Sequence, residues 1–174
     1  MSSAATTSAS PASRASAISR LDADALWELE PFARQAPTVL TPHSGELARL
    51  LGTQSHEIDA HRLDSARRAA SRFGAVVLLK GADTIVAAPR EGVLVATYGT
   101  PSLATAGTGD VLTGIVAAFL AKGMDPRLAA GTAAVAHGVA AELVEQQPGL
   151  IASDLLPALQ RALAGHGLQR APLQ

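Results

Sequence analysis

Ala75-Val76-Val77-Leu78-Leu79 is an unbroken apolar run of strand length, and its surroundings decide what kind of sheet it joins. A strand with one wet face alternates apolar and polar residues. A continuous run is the pattern of a parallel strand covered on both faces. Upstream, Glu57 to Arg72 carries charges on one side and Ile58, Leu63, Ala66 and Ala70 near helical spacing, which predicts an amphipathic helix ending at Gly74. Before it, Thr38-Val39-Leu40 is a short buried strand ending at Thr41-Pro42, and Gly45 to Leu51 a helical turn or two closed by Gly52. Asp24 to Arg34 reads as a short helix with Asp24 at its N-cap. Downstream, Thr84 to Ala88 and Val93 to Thr97 flank Arg90-Glu91-Gly92, the pattern of a hairpin. The loop Tyr98 to Gly109 then leads into helices from Asp110 to Lys122, from Pro126 to about Gln146, and from Ser153 to about Leu163. Strands alternating with helices predict an α/β fold with a largely parallel sheet and no internal repeat.

The 174 residues have the length of one domain. Aromatic residues make up only 3% of them, so the core must be aliphatic. A net charge of −1 gives no support for a nucleic-acid or membrane partner. The absence of cysteine excludes disulfides, thiolate metal sites and cysteine nucleophiles. No apolar run approaches the roughly 18 residues that span a bilayer, so a soluble, cytoplasmic protein is expected. Residues 1–17, rich in Ser, Ala and Thr, lack the apolar centre of a secretory signal and read as a disordered tail. The globular pattern covers residues 18–165, and residues 166–174 form a second tail.

Chemistry concentrates at Ala106-Gly107-Thr108-Gly109-Asp110, where a glycine loop meets the apolar stretch Val111-Leu112-Thr113-Gly114-Ile115-Val116. Glycines let backbone N–H groups face a ligand, and a helix start adds unpaired donors and positive dipole charge. Together they suit an anion such as phosphate, with Asp110 as N-cap or as base. Gly114, one turn in, suits close approach of another backbone. No Gly-Lys-Ser/Thr follows, so this is not a Walker loop. Lys80-Gly81-Ala82-Asp83-Thr84 follows the buried strand and Thr41-Pro42-His43-Ser44-Gly45-Glu46 follows the earlier one, where ligands bind in open α/β sheets. His43 is therefore a ligand-contact candidate. His56 and His61 lack the spacing of a helical metal pair, and His137, inside an apolar helix, reads as a satisfied core histidine.

In order and spacing these three motifs, with Ala136-His137-Gly138 and Ala152-Ser153-Asp154-Leu155, resemble the ADP/ATP-dependent NAD(P)H-hydrate dehydratases of the ribokinase-like superfamily. The likeness extends over roughly Leu21 to Leu163. It implies a three-layer fold and a metabolite-repair lyase that restores hydrated NADH or NADPH, in the S form, by phosphorylating the ring hydroxyl and eliminating phosphate. It implies Asp110 as general base and substrate contact, His43 on the hydrated dinucleotide, and Lys80, Gly81, Ala82, Asp83, Thr84 and Gly109 on the adenine nucleotide. Ala106, Gly107 and Thr108 would complete the anion loop. Mg²⁺ carried by ADP or ATP is implied, with no protein metal ligand evident, as is a homo-oligomer, a tetramer.

The chain also departs from the family pattern. Leu21-Asp22-Ala23-Asp24-Ala25-Leu26 resembles the middle of that pattern, so roughly the N-terminal third of the family domain is expected to be missing, leaving a truncated sheet with an unpaired edge. Thr100 and Ser102 stand where Asn and Gly are common, and Ser44 where Pro is common. Two other functions remain open: a related kinase for a hydroxyethylthiazole or pyridoxine-type alcohol, and an inactive nucleotide-binding remnant. The Thr41–Glu46 and Lys80–Thr84 motifs favour the dehydratase over the kinases.

Overall fold

The computed structural model describes residues 19–21 and 37–165. The Asp24–Arg34 helix, the junction at 22–26 and the tails at 1–17 and 166–174 lie outside the described residues. Five strands form one sheet in the order β1 (Ser19–Leu21), β2 (Thr38–Leu40), β3 (Val76–Leu79), β4 (Thr84–Ala87), β5 (Leu94–Ala96). β1, β2 and β3 pair in parallel, whereas β3–β4 and β4–β5 are antiparallel. The parallel character foreseen from the apolar run thus belongs to the β1–β3 half, and the hairpin makes the other half antiparallel.

The run around β3 is buried throughout because both faces are covered. Leu40, Val77, Leu79, Ile85 and Ala87 point to one side, against α1 (Ser44–Leu51), α2 (Ser55–Ala60) and α3 (Arg62–Phe73). Val39, Val76, Leu78 and Val86 point to the other, against α4 (Thr108–Ala121) and α5 (Pro126–Leu143). Alternate residues of one strand therefore serve two cores, which a polar residue on either face would break. α6 (Leu155–Leu163) packs on α5 through Ala158 and Ala162. The result is three layers, helices on either side of a sheet.

Two local expectations are corrected. The single helix expected over Glu57–Arg72 is two, α2 and α3, because His61 leaves helical dihedrals at φ −133° and ψ 48°. Ile58 packs with α1 while Ala66, Ala69, Ala70 and Phe73 lie against the sheet, so one straight cylinder cannot serve both contacts. Leu63, expected on the apolar stripe, is consequently 40% exposed. Gly114 faces open space rather than another backbone: no atom lies within 4 Å of where its Cβ would be.

Candidate active site

The polar residues gather where β2 and β3 end. Past β2, His43 caps α1: its Nδ1 accepts the N–H groups of Gly45 at 3.0 Å and Glu46 at 3.3 Å. Glu46 reciprocates, its Oε2 accepting the His43 N–H at 2.7 Å. With Nδ1 accepting, the neutral ring carries its proton on Nε2, which faces Glu46 Oε1 at 3.4 Å. His43 remains half-exposed while the Glu46 carboxylate is nearly covered.

β3 ends on Leu79, and the Lys80 N–H donates to the Pro42 carbonyl at 2.8 Å, binding the two strand ends together. The Lys80 ammonium lies 3.7 Å from Glu46 Oε2, so one carboxylate meets both predicted ligand contacts. It also overhangs the glycine loop: a Cβ on Gly109 would lie 3.4 Å from Lys80 Nζ. Below it, the buried hydroxyls of Thr41 and Thr113 meet at 3.4 Å, and Thr113 donates to the Gly109 carbonyl at 2.9 Å. The end of β2 and the start of α4 are thereby tied across the sheet.

A cleft of about 660 Å³ opens between these strand ends and α1–α3. His43, Lys80, Gly81, Ala82 and Asp83 line it, together with Ser44, Gly45, Ser55, Asp59 and Arg62. Thr84 is not in its wall; it begins β4, paired with Ala96. Gly109, Asp110 and Ala106–Thr108 lie beyond the wall at the start of α4, reached through Lys80.

The glycine loop is built from backbone. Gly107, at φ +85°, is the N-cap of α4, a conformation in which a Cβ would be strained. Thr108 Oγ1 faces the carbonyls of Leu103 at 2.7 Å and Thr105 at 2.8 Å, donating back into the loop. Asp110 is therefore the third residue of the helix and not its cap, exposed in the first turn. The preceding loop rests on α5 and the segment after it, since that helix ends at Leu143 and not near Gln146: Gly99 N–H donates to Glu142 at 3.0 Å, and Thr100 and Ser102 hydroxyls donate to Gln147 at 2.7 and 2.9 Å. Thr100 and Ser102 thus hold the loop in place.

His137 is buried on α5, and burial pushes its pKa below the ordinary value against the opposing pull of a backbone hydrogen bond to Thr108. Its Nε2 has no partner among the described residues, so it is not the satisfied core histidine expected. His56 and His61 are exposed. Ser55, Asp59 and Arg62 lie outside the motifs, and Ser44 lies within one without having been a candidate ligand contact. Arg62 was detectable all the same: it sits on the apolar stripe Ile58–Ala66–Ala69–Phe73, where a cation needs a polar partner. Among the described residues no group of three His, Asp or Glu side chains could hold a metal, and no helix is long and apolar enough to cross a membrane.

Residues 12–163 match the family model described as NAD(P)H-hydrate dehydratase. The chain is 44% identical over 151 residues to the bifunctional NAD(P)H-hydrate repair enzyme Nnr of Moorella thermoacetica, covering 82% of this chain and 28% of that protein. It is 42% identical to the ADP-dependent (S)-NAD(P)H-hydrate dehydratase of Neisseria meningitidis, covering 79% of this chain and 50% of that one. Its fold is similar to the crystal structure of the ADP/ATP-dependent NAD(P)H-hydrate dehydratase of Bacillus subtilis co-crystallised with ATP and Mg²⁺ and soaked with CoA, with a TM-score of 0.79, 34% identity, and coverage of 84% and 55%. The chain spans about half the length of these relatives or less.

Proposed function

Because the chain belongs to the NAD(P)H-hydrate dehydratase family, we propose that it takes part in nucleotide-dependent repair of hydrated NADH and NADPH in the S form. The observation that supports this most is the Lys80 ammonium standing between the cleft and the first turn of α4. In this reading Lys80 neutralises phosphate beside an anion loop, and Asp110, the third residue of α4, is the carboxylate next to it.

In this scheme the nucleotide lies along Lys80, Gly81, Ala82, Asp83, Thr84 and Gly109, and the hydrated ring lies toward His43 and Asp110. Asp110 takes the proton of the ring hydroxyl as its oxygen attacks the terminal phosphorus. The bond from that phosphorus to its bridging oxygen breaks, and the nucleotide departs one phosphate shorter. N–H groups of the Ala106–Gly109 loop and the α4 dipole hold the phosphoryl oxygens while charge moves between them. Phosphate then leaves the ring carbon as the neighbouring carbon loses a proton, which restores the double bond. Among the described residues no group of three His, Asp or Glu side chains could hold a metal by itself, so a Mg²⁺ would arrive on the nucleotide phosphates, where it would supply charge neutralisation at the phosphoryl group.

Incubation of the purified chain with hydrated NADH and ADP or ATP tests the proposal. Recovery of reduced-nicotinamide absorbance, dependent on nucleotide, is expected. Nucleotide binding with no recovery would refute the repair activity, and transfer of phosphate to a thiazole or pyridoxine-type alcohol instead would mark a kinase.

A further inference from the structure

The geometry points to Arg62 as the positioning residue of the Lys80–Thr84 loop, setting its backbone before a nucleotide arrives. This rests on the nucleotide role proposed for that loop. Arg62 opens α3, directly after the break at His61, and turns its guanidinium to the end of β3. Nη2 faces three carbonyl oxygens, those of Leu79 at 3.4 Å, Lys80 at 3.2 Å and Asp83 at 3.0 Å. Nη1 donates to Ser44 Oγ at 3.3 Å and lies 3.7 Å from Asp59 Oδ1, and Ser44 donates to that same carboxylate. Nη1 and Nη2, held in one rigid plane, thus gather the start and end of the loop, the head of α1 and the tail of α2.

Holding the carbonyls fixes more than the carbonyls. In a planar trans peptide the N–H points opposite its C=O. With the Lys80 carbonyl held toward Arg62, the Gly81 N–H must face away from it; the Asp83 carbonyl sets the Thr84 N–H likewise. The guanidinium therefore selects the direction of donors in the very segment proposed to meet the nucleotide.

Gly81 gives an independent mark of the same arrangement. It is absent from the glycines with positive φ, so no backbone conformation demands glycine there. Space does: a Cβ at 81 would lie 2.3 Å from Arg62 Nη2. The glycine is the seat of the guanidinium.

Calorimetric titration of ADP and ATP into the full chain, into Arg62→Met, Arg62→Lys and Gly81→Ala, and into the Arg62→Met/Gly81→Ala pair, tests this. Thermal melts check that each is folded. Arg62→Met should weaken nucleotide binding about tenfold or more, and Arg62→Lys should restore only part, since a point charge cannot span the carbonyls. In turnover the nucleotide KM should change more than kcat. Gly81→Ala should weaken binding in the unaltered background and by less than about twofold once Arg62 is Met, because the Cβ then has room. Equal nucleotide affinity in the Arg62→Met variant, or a Gly81→Ala effect that is the same in both backgrounds, would overturn the role of Arg62 while leaving the nucleotide site standing. No binding of ADP or ATP by the unaltered chain would overturn the nucleotide site and this role with it.

Discussion

On the α1–α3 side of the sheet, side chains clasp backbone: His43 holds two N–H groups of α1, and Arg62 holds three carbonyls after β3. On the α4 side the arrangement is reversed. There the backbone presents itself, with Gly107 and Gly109 leaving it bare and only Thr108 turned inward to brace it. The first side is held by polar side chains whose removal leaves backbone groups without partners, so it should be sensitive to single side chains. The second is held by conformation, so it should be sensitive to added bulk and indifferent to much else, save the one carboxylate in its path. Lys80 is where the two meet.

The sharpest way to break the contrast is Asp110→Asn. The loss of a general base should lower turnover by about 10²–10⁴-fold, while calorimetry finds nucleotide binding nearly unchanged. Equal losses in both would mean that Asp110 belongs to the binding frame. Lys80→Met comes next and should weaken ADP and ATP binding by about tenfold, an effect that shrinks as salt is raised. Affinity unmoved by Lys80→Met would separate the cleft from the glycine loop. His43→Ala removes the cap of α1 and should lower thermal stability by about 1 kcal/mol apart from any loss of substrate contact. An unchanged melting temperature would deny the cap its structural share.

The smallest effect concerns His137. Burial holds its folded pKa below the ordinary 6.5, so on acidification the unfolded chain takes up the proton first. Its contribution to stability is intact above that value and declines as pH falls below it toward the folded pKa. Melting temperatures measured from about pH 8 to pH 5 should therefore fall more steeply for the unaltered chain than for His137→Gln. Parallel curves would refute the assignment.

The strand at Val76–Leu79 and the order of its neighbours were legible because burial on both faces leaves a pattern that few other environments produce. The motifs Thr41–Glu46 and Lys80–Thr84 were legible for a related reason, since each follows a buried strand. The break at His61 was not: residues on either side are good helix formers, and what separates α2 from α3 is which layer each must reach. Nor was the start of α4 placed correctly, because glycine at 107 serves as a cap through its dihedral angles and not through a side chain. Gly114 misled in the opposite way, a small residue with open space around it. Arg62 was read as one of the charges opposite the stripe Ile58, Leu63, Ala66 and Ala70, and its three carbonyl partners are known only once β3 and its loop are in place.

Tyr98, the chain's only tyrosine, leads into the glycine loop and lies so close to α5 that a Cβ on Gly138 would sit 2.5 Å from its carbonyl oxygen. Trp27 is the only tryptophan. In a Trp27→Phe variant, tyrosine absorbance and emission would come from one phenol at the edge of the proposed phosphate site. The protein thus carries its own optical reporter, able to follow the loop as ligand is added without any attached dye.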